Sequence, residues 1–222
     1  REYGFDATSD AECSQVNPDW EFNDEDEVCI TYIDESRIGK AELDLPGYDE
    51  GQTEELQENE NLGRLKFVTT EGDTNGDGKY EELYSFGARS FTVWDTAGNI
   101  VFDSADEFEQ VTAAAIPDDF NSTNDENDSF DNRSDDKGPE PEGVVVGKVR
   151  GETYAFVGLE RVGGIMIYNV TDPTSARYID YVNNRNFDVD ADTSEAGDLG
   201  PEGLLFIKAD ESPNGKPMLV VG

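Results

Sequence analysis

Between Gly143 and Val182 the chain writes four short strands in close succession, and no other feature constrains its fold as tightly. Gly143–Val149, Tyr154–Leu159, Gly164–Val170 and Arg177–Val182 are rich in β-branched, aromatic and aliphatic residues. Turns at Arg150-Gly151-Glu152, Arg161-Val162-Gly163 and Thr171-Asp172-Pro173 join them, as antiparallel neighbours are joined. Four such strands in about 40 residues are the measure of one propeller blade. The pattern then restarts. Gly138-Pro139-Glu140-Pro141-Glu142-Gly143-Val144 is echoed by Leu199-Gly200-Pro201-Glu202-Gly203-Leu204. Leu204–Lys208, an Asn214-Gly215 hairpin turn and Met218–Val221 follow the echo.

Upstream, Phe91–Asp95 and Ile100–Asp103 flank the turn Thr96-Ala97-Gly98-Asn99 and read as a hairpin. Ala105–Ala115 has helical composition. Pro117–Pro141 is a long loop crowded with Asp, Asn and Ser, and loops of that length in a compact domain are functional or mobile. Residues 1–60 are polar, acidic and aperiodic apart from a strand over Val28–Ile33. The fold expected is therefore all-β: a partial β-propeller, about three blades of a larger one, with acidic loops and one short helix. Residues 1–60 form a loop-rich extension and 61–222 the blades.

Formal net charge is −36, from 52 acidic against 16 basic residues, and there is no histidine. Such a surface repels nucleic acid and anionic membrane, so both are excluded as partners. A hydrophobic fraction of 35% still supports a core, which makes the acidity a solvated surface that salt-rich surroundings would screen. Without histidine, Ser-His and Cys-His nucleophilic pairs are also excluded. Gly163-Gly164 lies in a β-turn and opens no helix, so it is no phosphate loop.

Asp73, Asn75, Asp77 and Glu81 place oxygen side chains at positions 1, 3, 5 and 9 of a nine-residue loop, and Lys79 at position 7 offers its carbonyl. That is the hard-oxygen shell Ca²⁺ takes, with Gly78 permitting the tight wrap. An EF-hand would carry glutamate at position 12, where this chain has Tyr84, and would need flanking helices. The flanks read instead as strands, Arg64–Thr70 before and Leu83–Phe86 and Ser90–Trp94 after. The closer match is the short Asp-x-Asn-x-Asp-Gly-x-x-Glu loop that caps hairpins in calcium-dependent propellers. An acidic turn that binds nothing is the competing reading. Cys13 and Cys29 have the wrong spacing for zinc; a disulfide and two free thiols both fit. Sequons begin at Asn121, Asn127, Asn132 and Asn169, a number that an Asn-, Ser- and Thr-rich chain also reaches by chance.

Gly72–Asp95, Ser134–Val144, Tyr154–Asp172 and Asp198–Ile207 resemble the choice-of-anchor I family of secreted, propeller-like proteins, which includes the mesenchyme-specific cell-surface glycoproteins. Arg1-Glu2-Tyr3 resembles the tail of a family segment and Leu219–Gly222 the strand before its next appearance, so a piece of a larger propeller is expected. The resemblance implies an extracellular or cell-surface location, calcium as ligand and an oxidising compartment in which Cys13 and Cys29 are bonded. It also brings phosphatase and phytase labels, which fold likeness does not settle.

Strands opening with Pro-Glu-Gly would set Glu142 and Glu202 at the innermost strands of neighbouring blades, with Glu140 beside the first. If they point inward they form a second cation site. Arg89, Arg161 and Arg185 come from successive strand ends, and Glu160 adjoins Arg161. Carboxylates holding a metal, with arginines receiving phosphoryl oxygens, would serve a metal-dependent phosphomonoesterase or phytase-like hydrolase. The favoured reading pairs these glutamates and arginines as ion pairs between blades. Asp135, Asp136 and Lys137 read as loop residues facing water. The function expected is thus a calcium-binding extracellular module with a structural or interaction role, whose partners are other surface proteins, or phosphate esters on the hydrolase reading.

Overall fold

A computed structural model describes residues 35–87 and 89–222, together with 3–6, 9, 11–13, 21–23 and 28–30. The chain divides into two compact units, residues 1–86 and 87–222, so residues 61–86 lie in the first.

In the first unit β1 (Tyr3–Asp6), β2 (Glu21–Asn23) and β3 (Val28–Ile30) form an antiparallel sheet in the order β1-β3-β2. Residues 31–33 of the expected strand, and Arg1 and Glu2, lie outside the described residues. Cys13 and Cys29 are bonded, with sulfurs 2.13 Å apart, and both are fully buried against Phe22. The pair β4 (Glu35–Arg37) and β5 (Lys66–Val68) sets Ser36 opposite Phe67. Phe67 and Ile38 are buried, and the edge of Tyr80 meets Phe67 at 4.8 Å between centroids.

Helix α1 (Glu50–Leu56) falls where the sequence suggested only loop. It buries no residue, so it has no apolar stripe to betray it. Its start is fixed by a capping box: Asp49 Oδ1 accepts the Gln52 amide hydrogen and Gln52 Oε1 accepts that of Asp49.

The second unit opens with the expected hairpin, β6 (Thr92–Trp94) and β7 (Ile100–Asp103), then α2 (Glu107–Ala115). The meander β8 (Pro141–Val149), β9 (Glu152–Leu159), β10 (Ile165–Asn169) and β11 (Arg177–Val182) forms one sheet in the order β11-β10-β9-β8. A second hairpin, β12 (Leu204–Ile207) and β13 (Met218–Val221), follows. The described sheets are antiparallel and the protein is mostly β; α1 is a helix beyond the single one expected.

Both faces of the meander carry packed aromatic and aliphatic side chains. Ala155, Val157, Met166 and Tyr168 share one face through the pairs Met166↔Val157 and Tyr168↔Ala155, and pack with Phe91, Phe102 and Phe108. Each large apolar side chain buried there contributes about 1.5–3 kcal/mol. The Tyr168 hydroxyl keeps a partner, donating to Glu107 at 2.7 Å. On the other face Phe206 stacks on Phe156 with centroids 5.8 Å apart. Phe206 fits only because residue 147 is glycine: a Cβ there would lie 2.4 Å from its ring.

Apolar cross-strand stripes stay open on the meander and on the second hairpin. Val144 and Val146 share the Val157 and Ala155 face yet are 60% and 57% exposed. Leu205 and Val220, paired across the second hairpin and turned away from Phe206, are 58% and 43% exposed.

Candidate functional site

The loop from Asp73 to Glu81 folds around its own carboxylates. Asp73 Oδ1 accepts amide hydrogens from Gly76 (2.7 Å) and Asp77 (3.2 Å), and Oδ2 accepts that of Gly78 (2.9 Å). These donors, Gly78 first, hold the Asp73 carboxyl below its ordinary range against a smaller opposing effect of desolvation. Glu81 reaches back across the loop: Oε2 accepts from the Thr74 amide and hydroxyl, and Oε1 from the Asn75 side-chain amide at 2.8 Å. Gly78 takes φ +90°, a conformation that asks for glycine.

Backbone pairing anchors both ends. Gly72 O accepts from Glu81 N and Glu82 N, and Tyr80 bridges to the segment around Leu43. The strand expected over Leu83–Phe86 is a single bridge, Ser85 to Phe67, so the loop closes against β5 and Leu43 rather than between two full strands.

Asp73, Asp77 and Glu81 each bring one carboxylate oxygen within 4.8 Å of the others. A Ca²⁺ ion with oxygens at about 2.4 Å needs just that diameter. Without a cation each pair repels by roughly 1 kcal/mol even at the dielectric of water. The donors fit calcium: hard, anionic and half-exposed or exposed, with the Asp73 oxygens oriented by three amides. Asn75 turns its amide nitrogen toward Glu81, so its oxygen would reach an ion by rotation of the amide.

The second carboxylate cluster joins Glu140, Glu142 and Glu160, again within 4.8 Å. Glu202 is outside it. Its segment runs beside the first Pro-Glu-Gly, its carbonyl 2.8 Å from where a Cβ of Gly143 would stand. Glu140 is 4% exposed, in the left-handed region at φ +50°, and is ringed by cations. Its Oε1 accepts from Arg133 Nη2 and from Arg161 Nε (3.0 Å); Lys137 Nζ lies 2.5 Å from Oε2, outside hydrogen-bonding angles. Burial alone would push the Glu140 carboxyl up, but Lys137, Arg133 and Arg161 together hold it below its ordinary range. Burial pushes Glu160 up; Arg161, 3.3 Å away, opposes this, and Glu142 and Glu140 add to it.

The candidate arginines all reach the 117–141 loop. Arg89 donates to Glu109 (2.7 Å) and to the Ser134 and Asp136 carbonyls. Arg161 donates to Asn124 (2.8 Å) as well as Glu140. Arg185 donates to Asn127 Oδ1 and to the Glu126 and Arg161 carbonyls, and stacks on Phe187 at 4.4 Å. Asp136 and Lys137, expected to face water, pair with Arg133 and Glu140. Sequence reasoning missed Glu109, Asn124, Asn127 and Arg133 as their partners, and no local pattern marks them.

Among the described residues no helix is long and apolar enough to cross a membrane. No solved structure matches the chain. The Choice-of-anchor I domain matches residues 23–173, more than half of it. Gigasin-3a of Magallana gigas is 33% identical over 178 residues, covering 75% of this chain and 62% of that protein. The Mesenchyme-specific cell surface glycoprotein of Strongylocentrotus purpuratus is 26% identical over 162 residues, 64% of this chain and 20% of that protein. The chain thus spans less than two thirds of the length of either relative. On these matches it is an extracellular or cell-surface protein, and it belongs to the choice-of-anchor I family.

Proposed function

We propose that the chain is a calcium-binding module of an extracellular or cell-surface β-propeller, with a structural or interaction role. The observation that carries the calcium reading is the convergence of Asp73, Asp77 and Glu81 within 4.8 Å in an Asp-x-Asn-x-Asp-Gly-x-x-Glu loop. The propeller reading draws support from the layers of the second unit. One sheet is packed on both faces, and the stripes at Val144/Val146 and Leu205/Val220 are left apolar, as blades with neighbours on either side would be. A phosphomonoesterase has less behind it, because Arg89, Arg161 and Arg185 already donate to loop carbonyls, amides and carboxylates. A cation beside Glu140 would also meet Arg133, Lys137 and Arg161.

Calcium titration followed by calorimetry and thermal melting tests the reading. At a free concentration a hundred times Kd, calcium should stabilise the first unit by about 2.7 kcal/mol. Asp77→Ala should abolish the effect by removing a central ligand. A wild-type protein that melts identically in calcium and in EDTA refutes it.

A further inference from the structure

The chain has two Asn-Gly pairs, Asn75-Gly76 and Asn214-Gly215, both in exposed turns. A glycine after asparagine leaves the backbone nitrogen unshielded, which suits intramolecular attack on the asparagine side chain. In that reaction the glycine nitrogen loses its proton to solvent base and bonds to Cγ. The Cγ–Nδ2 bond breaks, ammonia leaves with a proton from water, and a succinimide remains. Water then opens the ring at Cγ to give aspartate, or at the main-chain carbonyl carbon to give isoaspartate. Water is the only co-reactant.

At Asn75 both reacting groups are held by carboxylates. The Gly76 amide, the nucleophile, donates to Asp73 Oδ1 at 2.7 Å, which opposes loss of its proton. The Asn75 Nδ2, the leaving group, donates to Glu81 Oε1 at 2.8 Å. At the second pair the Gly215 amide donates to a neutral carbonyl, Ser212 O, at 3.2 Å. The Asn214 side chain is held through its oxygen, which accepts from Ser212 Oγ and Lys216 N at 2.9 Å each, so what sets Asn75 apart is carboxylate acceptors on both its nucleophile and its leaving group.

We propose that Asn75-Gly76 is a deamidation site held in check by Asp73 and Glu81, so that the same carboxylates which gather in the loop also protect its amide. The consequence for function rests on the calcium reading above. Conversion to aspartate puts a fourth carboxylate at loop position 3. Conversion to isoaspartate adds a methylene to the backbone between positions 1 and 5 and breaks the ligand spacing. An aged loop is thus either more strongly anionic or unable to close on an ion.

The full chain is incubated in EDTA at mildly alkaline pH, and peptides are mapped over time for deamidated and isoaspartyl products. Asp73→Ala, which leaves the Gly76 amide without its side-chain acceptor, should speed the reaction at Asn75 roughly five- to thirtyfold, the factor that one or two hydrogen bonds of ordinary net strength amount to. Urea should do the same to the wild type. Asn214 in the variant, at its wild-type rate, reports that the second unit is undisturbed, and amide exchange at β4 and β5 unchanged from the wild type reports the same of the first. Equal Asn75 rates in wild type, variant and urea overturn the proposal. Calcium titration of the same sample separates the two ideas. No binding isotherm overturns the calcium reading and leaves the EDTA comparison standing. Binding together with equal Asn75 rates overturns the protection.

Discussion

Gly147→Ala isolates how the second unit is layered. A Cβ on residue 147 would stand 2.4–2.5 Å from Cγ, Cδ1 and Cδ2 of Phe206, whereas carbon atoms settle at about 3.5–4.0 Å. The ring must therefore retreat by about 1 Å. It cannot do so freely, because it stacks on Phe156 at 5.8 Å with an interplanar angle of 19°. Overpacking of this kind costs about 1–3 kcal/mol, and a lost aromatic pair about 0.5–1.5 kcal/mol. Alanine returns about 0.5–1 kcal/mol through its smaller backbone entropy. The net expectation is about 2 kcal/mol of destabilisation, or about 4–8 °C in Tm for a chain of this size. Urea and thermal melts of Gly147→Ala, Phe206→Ala and the double variant close the cycle. With the ring gone, alanine at 147 should become neutral or stabilising. A destabilisation of equal size in the Phe206→Ala background would refute the close approach, and a neutral single variant would do so as well.

Two further outcomes are expected. Reducing the Cys13–Cys29 bond, which spans 16 positions, should cost the first unit about 3 kcal/mol in the chain-entropy account, read as faster amide exchange around β3 while β9 is unchanged. The Glu140 carboxyl is depressed in the folded state. Its contribution is therefore present above the ordinary value of 4.5 and is lost as pH falls through its lower folded value. Urea melts should accordingly weaken with acid below pH 4.5, more steeply in the wild type than in Glu140→Gln; equal slopes would count against the cation ring.

The meander was legible because its strands must bury one face or both, and burial writes itself into local composition. Arg177–Val182 and Met218–Val221 were expected and found with the same bounds. Helix α1 was invisible for the opposite reason: it buries nothing, and only the Asp49 and Gln52 pairing marks its start. The carboxylates of the 73–81 loop could be read because its candidate ligands are sequence neighbours at fixed spacing. The arginine contacts could not, since Arg185 meets Asn127 from 58 positions away and takes backbone carbonyls that any residue could supply. Within the 117–141 loop, read as functional or mobile, Asp136 and Lys137 looked solvent-facing for the same reason. Asn121 is fully buried and donates to Glu109 and Ser134, yet nothing in the neighbouring residues distinguishes it from Asn132, which is exposed.

Glu140 carries an evolutionary consequence. Its main chain sits where glycine is at ease, and a non-glycine residue there is strained by about 1–3 kcal/mol. Glycine would relieve that strain but would take away the carboxylate that Arg133, Arg161 and Lys137 share, leaving Arg133 to Asp136 and Arg161 to Glu160. Aspartate tolerates the backbone better but is one methylene short of three fixed cations. Glycine and aspartate thus each trade one fault for another. Backbone and side chain therefore make opposite demands at position 140, and a residue that suits the one has to be matched by change in the basic residues that face the other.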